Sequence, residues 1–251
     1  MINLTFDEDK KAIFNPEDAY HFNPEMPEVC LVTFTKHVID IVKERFELKE
    51  IGSIDGEEGN PIYKFNYKGK DMAIYRVTMG AAGTVALMEE ARVMGAKKFV
   101  YFGSCGTLDQ SIPASHIIVP YMAYRDEGTS YHYMSGAGQW VEIGTCDVTA
   151  EIIEDLGLPV LCCKTWTTDG LYRETRRNFE KRVKQGCKVV DMECSAIHAC
   201  EHFREDIRCY QFFYAEDNLD AIEWDPRICG HTPRSSYEMC LDIALEIGTR
   251  V

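Results

Sequence analysis

Two patterns of apolar and polar positions alternate along this chain. Short apolar runs rich in β-branched residues lie at Val29 to Phe34, Met72 to Thr78, Lys98 to Phe102, His116 to Pro120, Val160 to Thr165, Val189 to Met192 and Arg208 to Tyr214. Each predicts a strand. Between them, apolar residues recur at helical spacing over Lys36 to Phe46, Thr84 to Met94, Thr149 to Leu156, Arg173 to Lys184, Ser195 to Phe203 and Arg234 to Ile247. These predict helices, and Gly95 supplies a C-terminal cap for the second of them. Alternation of this kind implies an α/β fold of largely parallel strands joined by right-handed crossovers, with helices on both faces of a twisted sheet. Ligands then gather at the carboxyl ends of the strands. Asp55 to Asn60, between two further predicted strands, reads as a surface turn. No Pro/Gly/Ser linker and no internal repeat divides the 251 residues, so one domain is expected over 1–251, with 1–20 as an N-terminal extension.

Charge narrows the partners. With 27 basic and 41 acidic residues the formal charge is -14, which repels polyanions at long range, so neither nucleic acid nor an anionic membrane is an expected partner. Met1 to Lys10 lacks the basic block and apolar run of a signal peptide. Nothing approaches the ~18 apolar residues that span a bilayer, and a cytoplasmic protein is expected. Eleven cysteines, an odd number, scatter through apolar stretches, which favours reduced, buried thiols. Cys162 and Cys163 are adjacent rather than spaced as C-x-x-C, so no metal site is expected.

Three segments carry candidate chemistry. Thr78-Met79-Gly80-Ala81-Ala82-Gly83-Thr84 joins a strand to a helix, where free backbone N–H groups suit an anion and a glycine turn equally suits close packing. Phe102-Gly103-Ser104-Cys105-Gly106 reads as a strand running into a turn, in which glycines admit a ligand to the backbone and Ser104 offers a hydroxyl. A tight turn with an inert cysteine is the other reading. Val189-Val190-Asp191-Met192-Glu193-Cys194-Ser195-Ala196 ends a strand in acids. A carboxylate there accepts hydrogen bonds from a vicinal diol, as on ribose, or caps a helix.

Together, in this order and at these separations, the segments resemble the nucleoside phosphorylase superfamily, in the branch of bacterial hexameric purine nucleoside phosphorylases, uridine phosphorylases and related nucleosidases. The resemblance covers about His21 to the C-terminal helix and implies a three-layer α/β/α fold around a mixed sheet. Carried onto matching positions, it implies that Met192 packs against a sugar and that Glu193 grips the sugar hydroxyls. His21, in His21-Phe22-Asn23-Pro24, resembles a histidine reaching a neighbouring subunit's sugar pocket. That match implies a homo-oligomer, a dimer or a hexamer built as a trimer of dimers; a surface histidine is the alternative. The segment Trp166-Thr167-Thr168-Asp169-Gly170-Leu171-Tyr172-Arg173-Glu174 is similar to the base-pocket loop, which places Trp166 where an indole stacks on a base; a core tryptophan is the alternative. Asp217, in Tyr214-Ala215-Glu216-Asp217-Asn218, falls where purine-specific members keep an acid that protonates the departing base. An Asp-Asn turn competes with that reading. Arg125 to Ser130 resembles a uridine phosphorylase loop, yet the glutamine and arginine of the pyrimidine signature align with Thr175 and Arg177, so only the arginine is kept.

The phosphate site departs from the family pattern. After the first strand the chain reads Thr33-Phe34-Thr35-Lys36, with neither the family's glycine nor its arginine, and the central-strand arginine is replaced by Tyr101. A neutral phenol cannot replace a guanidinium on a dianion. Ser104, the backbone of Gly103 and Gly80, and Arg76 remain as phosphate-binding candidates. The resemblance implies phosphorolytic cleavage of a purine or pyrimidine nucleoside, with phosphate as co-substrate and no cofactor. Hydrolysis by water, or nucleoside binding without catalysis, are the alternatives.

Overall fold

The third predicted strand does not stop where its glycines begin. In the computed structural model, which describes residues 2–56 and 59–251, it runs over Lys98–Thr107. The expected Gly-Ser-Cys-Gly turn is therefore extended backbone. Glycine reads as a turn former by propensity, but here it serves close approach. A Cβ on Gly106 would lie 2.9 Å from both Val190 and Leu219.

In chain order the strands are β1 (Val29–Thr33), β2 (Lys49–Ile54), β3 (Asn60–Tyr67), β4 (Lys70–Arg76), β5 (Lys98–Thr107), β6 (Ile117–Asp126), β7 (Trp140–Glu142), β8 (Val160–Thr168), β9 (Cys187–Asp191) and β10 (Arg208–Asn218). The helices are α1 (Pro16–Ala19), α2 (Lys36–Arg45), α3 (Ala81–Met94), α4 (Ser130–Tyr133), α5 (Cys146–Asp155), α6 (Arg176–Lys184), α7 (Cys194–Arg204) and α8 (Arg234–Arg250). The predicted helices appear with shifted ends; α6 starts three residues later than expected because Thr175 caps it, accepting from the Asn178 N–H. β7 and α4 carried no sequence signal. In the turn expected at 55–60, Asp55, Gly56 and Gly59 have positive φ, while Glu57 and Glu58 lie outside the described residues.

The sheet is mixed. Parallel pairs are β1–β4, β1–β5, β5–β10, β6–β8 and β8–β9; antiparallel pairs are β2–β3, β3–β4, β6–β7, β6–β10 and β5–β9. One face packs on α2, α5 and α8, and the other on α3 and α7, giving the three layers. The pairings also close β5, β10, β6, β8 and β9 into a ring, which alternation alone does not reveal. Cys105, Ile118, Cys163, Val189 and Phe213, one from each ring strand, meet in a single buried cluster. From β5 the sheet continues outward through β1, β4 and β3 to β2, and β2 carries a bulge between Glu50 and Gly52.

The N-terminal segment lies against α3 and α7. Arg92 pairs with Glu17 at 2.7 Å, Lys10 with Glu205 at 2.9 Å, and Phe6 meets Phe203 edge-on. All eleven cysteines are free thiols, and of them Cys162 is exposed and Cys229 half-buried. Among the described residues no helix is long and apolar enough to cross a membrane. Gly106→Ala should cost about 1–3 kcal/mol through overpacking against Val190 and Leu219, read as a lowered urea midpoint with an unchanged m-value.

Candidate active site

β5 changes partner halfway along. β1 pairs with it as far as Thr33 opposite Phe102, and β9 takes over only at Gly106. Between these two neighbours the backbone of Gly103 to Cys105 is left open on that side, at the carboxyl ends of parallel strands, where ligand crevices form. A cavity of about 800 Å³ opens there.

Asp191 fixes the floor of the cavity. Its buried carboxylate ends β9 and accepts from the hydroxyls of Thr165 (2.6 Å) and Thr167 (3.1 Å) and from the N–H groups of Glu193 (2.8 Å) and Cys194 (2.7 Å). That set of bonds defines the turn into α7 and aims Met192 and Glu193 at the cavity, which both line. Glu193 is 7% exposed, and its Oε1 accepts the Gly80 N–H at 2.6 Å. Gly80 has φ 115°, a conformation that favours glycine. The group at the N-terminus of α3 is thus the chain's own carboxyl, so the Gly80 amide expected to hold phosphate is already engaged. Burial, and then the charge of Asp191, push the Glu193 carboxyl up to about 8, against the Gly80 hydrogen bond.

Asp217 lies on another wall. The β5–β10 register slips between Ala215 and Asp217, and such a bulge re-aims the side chain that follows it. Asp217 Oδ2 accepts the indole N–H of Trp224 at 2.6 Å. Burial raises the Asp217 carboxyl, and the Trp224 bond opposes that rise.

The remaining predicted residues divide. Gly103 and Ser104 line the cavity, the latter with an exposed side chain; the ring of Phe34 packs directly on Gly103. Arg76 does not line it: as the last residue of β4 it is exposed, one strand beyond β1. Tyr101 is fully buried on the α3 and α7 face, and among the described residues its hydroxyl has no partner. Trp166 is core rather than a stacking surface. It is 1% exposed, its N–H donates to Asp126 (2.9 Å), and the Arg182 guanidinium lies over its ring. It shares a buried cluster with Phe179 and Val190, which line the cavity where Trp166 does not. Arg177 is exposed and off the cavity; Glu174 and Arg176 line it instead, because Thr175 is spent capping α6. His21 is exposed and outside this chain's cavity. The Arg125 guanidinium is buried and donates to Ser130 and to the backbone of Met134, Ser135 and Gly138. Glu127 accepts from Ser130 and Ser195. Both hold loops rather than line the cavity.

Phe34, Tyr214, Trp224 and Tyr237 line the cavity without having been singled out in the sequence, and so does Glu174, the last residue of the segment matched to the base-pocket loop. Glu174, Glu216 and Trp224 come from irregular backbone or from the β10 bulge, where periodicity says nothing. Among the described residues the lining carries the carboxyls of Glu174, Asp191, Glu193, Glu216 and Asp217 against one cation, Arg176. Burial, and then Asp217, push Glu174 up to about 8.

The family model described as Phosphorylase superfamily matches residues 28–227, and the chain belongs to that superfamily. It is 24% identical over 159 residues to a purine nucleoside phosphorylase of Shewanella oneidensis, covering 61% of this chain and 65% of the relative. It is 28% identical over 152 residues to an uncharacterised protein of Acanthamoeba polyphaga mimivirus, covering 60% and 58%. The chain therefore spans about three-fifths of the length of these curated relatives. A crystal structure of uridine phosphorylase from Vibrio fischeri superimposes with a TM-score of 0.75 at 18% identity, covering 92% of this chain and 98% of that one. Purine nucleoside phosphorylase from Toxoplasma gondii gives 0.74 at 18%, covering 89% and 91%. These two likenesses show the shared fold.

A carboxyl whose pKa is higher in the folded than in the unfolded chain keeps its proton longer when folded. Its contribution is therefore full below its ordinary 4.5 and is lost as pH rises toward about 8. Urea titrations of Glu193→Gln and Glu174→Gln should each show a shallower decline of stability between those values than the unsubstituted chain. Parallel slopes would contradict the assigned burial.

Proposed function

We propose that this protein cleaves the N-glycosidic bond of a purine or pyrimidine nucleoside, as a phosphorylase-type glycosyltransferase. The observation that carries this reading is the placement of Glu193 and Asp217 on one cavity whose volume suits a nucleoside-sized ligand. Glu193, beside Met192, accepts hydrogen bonds from the sugar hydroxyls and stabilises the cation-like sugar as the bond lengthens. Asp217 is the acid for the departing base: burial favours its protonated form, and the proton passes to a ring nitrogen as negative charge builds there. Ser104 faces the region from which a nucleophile reaches the anomeric carbon. Relatives named as purine nucleoside phosphorylase, guanosine phosphorylase and uridine phosphorylase support the bond type without deciding the base.

The nucleophile is the second question. The retained Gly103-Ser104-Cys105-Gly106 segment favours phosphate. Among the described residues the lining has Arg176 as its one cation, too few guanidiniums for a bound dianion, which favours water. Within an oligomer, dimeric or hexameric, His21 would complete a neighbour's sugar pocket, and light scattering tests for that assembly.

A nucleoside panel incubated with and without phosphate tests the scheme. Base released only with phosphate marks phosphorolysis, and base released regardless marks hydrolysis. Binding without release marks a nucleoside-binding protein and overturns the proposal. Glu193→Ala and Asp217→Asn should each lower kcat/KM by about 10²-fold or more, with the Asp217 effect greater on purines than on pyrimidines.

A further inference from the structure

We propose that Trp224 is a positioning residue for the acid that serves the departing base: its indole N–H claims one oxygen of Asp217 and confines the acidic proton to the other, Oδ1. This rests on reading the cavity as a glycosidic-bond site. The indole donates to Asp217 Oδ2 at 2.6 Å, and both residues line the cavity. An indole N–H can only donate, so the oxygen that receives it is the accepting oxygen of the carboxyl. When Asp217 is protonated, the proton therefore sits on Oδ1. The position of Oδ1 is fixed by a neighbour on β5: a Cβ added to Gly106 would come within 3.0 Å of it, and Gly106 also belongs to the lining. One oxygen is thus tied to the loop after β10, and the other lies against the central strand.

The loop that carries Trp224 is fastened on several sides. Asn218 and Asp225 exchange backbone hydrogen bonds, Arg176 of α6 donates to the Ala221 carbonyl, and Arg227 donates to the carbonyls of Gln110 and Ile112. Trp224 itself is 61% exposed, so it is not a core side chain, and its contribution is the bond it makes. Around the Asp217 carboxyl, burial and Glu216 favour the proton, while Trp224 and Arg227 favour the charge. Glu174 ahead of α6, Cys105 of β5 and Cys229 are the other titratable groups that this charge reaches. Removing the indole N–H takes away a donor to the ionised form, so Asp217 then keeps its proton to a higher pH.

The test compares the unsubstituted protein with Trp224→Phe, which keeps an aromatic ring and removes the N–H, with circular dichroism confirming folding. On a purine nucleoside the high-pH limb of kcat/KM, where Asp217 loses its proton, should move up by about one pH unit in Trp224→Phe. The plateau should fall by about tenfold or more, because the proton is no longer confined to Oδ1. A side chain that only packed the loop would lower the plateau and leave the limb in place, and that result overturns the assignment. NMR reads the same pair without substrate. The Trp224 indole signal, one of three in the chain, should shift with pH, and Asp217→Asn should flatten that shift. In protein labelled with ¹³C-aspartate, the Asp217 carboxyl should titrate at a higher pH in Trp224→Phe, and an unchanged midpoint overturns the assignment. If no nucleoside is cleaved, the glycosidic reading fails by itself, and the NMR midpoints alone decide whether Trp224 holds Asp217.

Discussion

The hydrogen bonds gathered on Asp191 are the constraint from which the site follows. One carboxylate ties two hydroxyls of β8 to the first amides of α7, so the strand, its neighbour and the helix share a single anchor. Buried charge is tolerated there because donors surround it. With that anchor in place, Glu193 is directed to the N-terminus of α3, where its carboxyl accepts the Gly80 N–H. Glu193 is thus held by a backbone amide, between the N-termini of α3 and α7.

The architecture and the site meet at the partner change along β5. A strand bounded by β1 at its start and by β9 at its end must leave an interval where neither reaches, and the ring closed by β10, β6 and β8 keeps that interval from collapsing. Small side chains inside the ring, such as Cys105, Ala215 and Cys163, let its strands approach closely. The cavity is therefore a product of topology as much as of any side chain that lines it.

Much of this was legible in the sequence, for physical reasons. Buried parallel strands show as continuous apolar runs, so β1, β4, β5, β8 and β10 were visible, and the Asp191-Met192-Glu193 segment announced a strand end rich in acceptors. Ring closure was invisible, since it depends on which strands meet after the chain has folded. The segment from Gly103 to Gly106 misled because glycine marks both turns and tight strand packing. Trp166 misled because a buried indole and a stacking indole are the same letter, and only the Asp126 and Arg182 partners distinguish them. Trp224 lies in a segment with no period to read.

The outermost strand has its own consequence. Ring closure leaves the three-residue β7 as an edge in one half of the sheet, and the outer half ends at β2. That strand begins with Lys49 and Glu50 and is broken by a bulge at Gly52, features that spoil the straight, uncharged border on which a second chain could add a strand. Copies of this protein are thereby steered away from edge-to-edge sheet extension, and any ordered self-association is left to its side chains and helices.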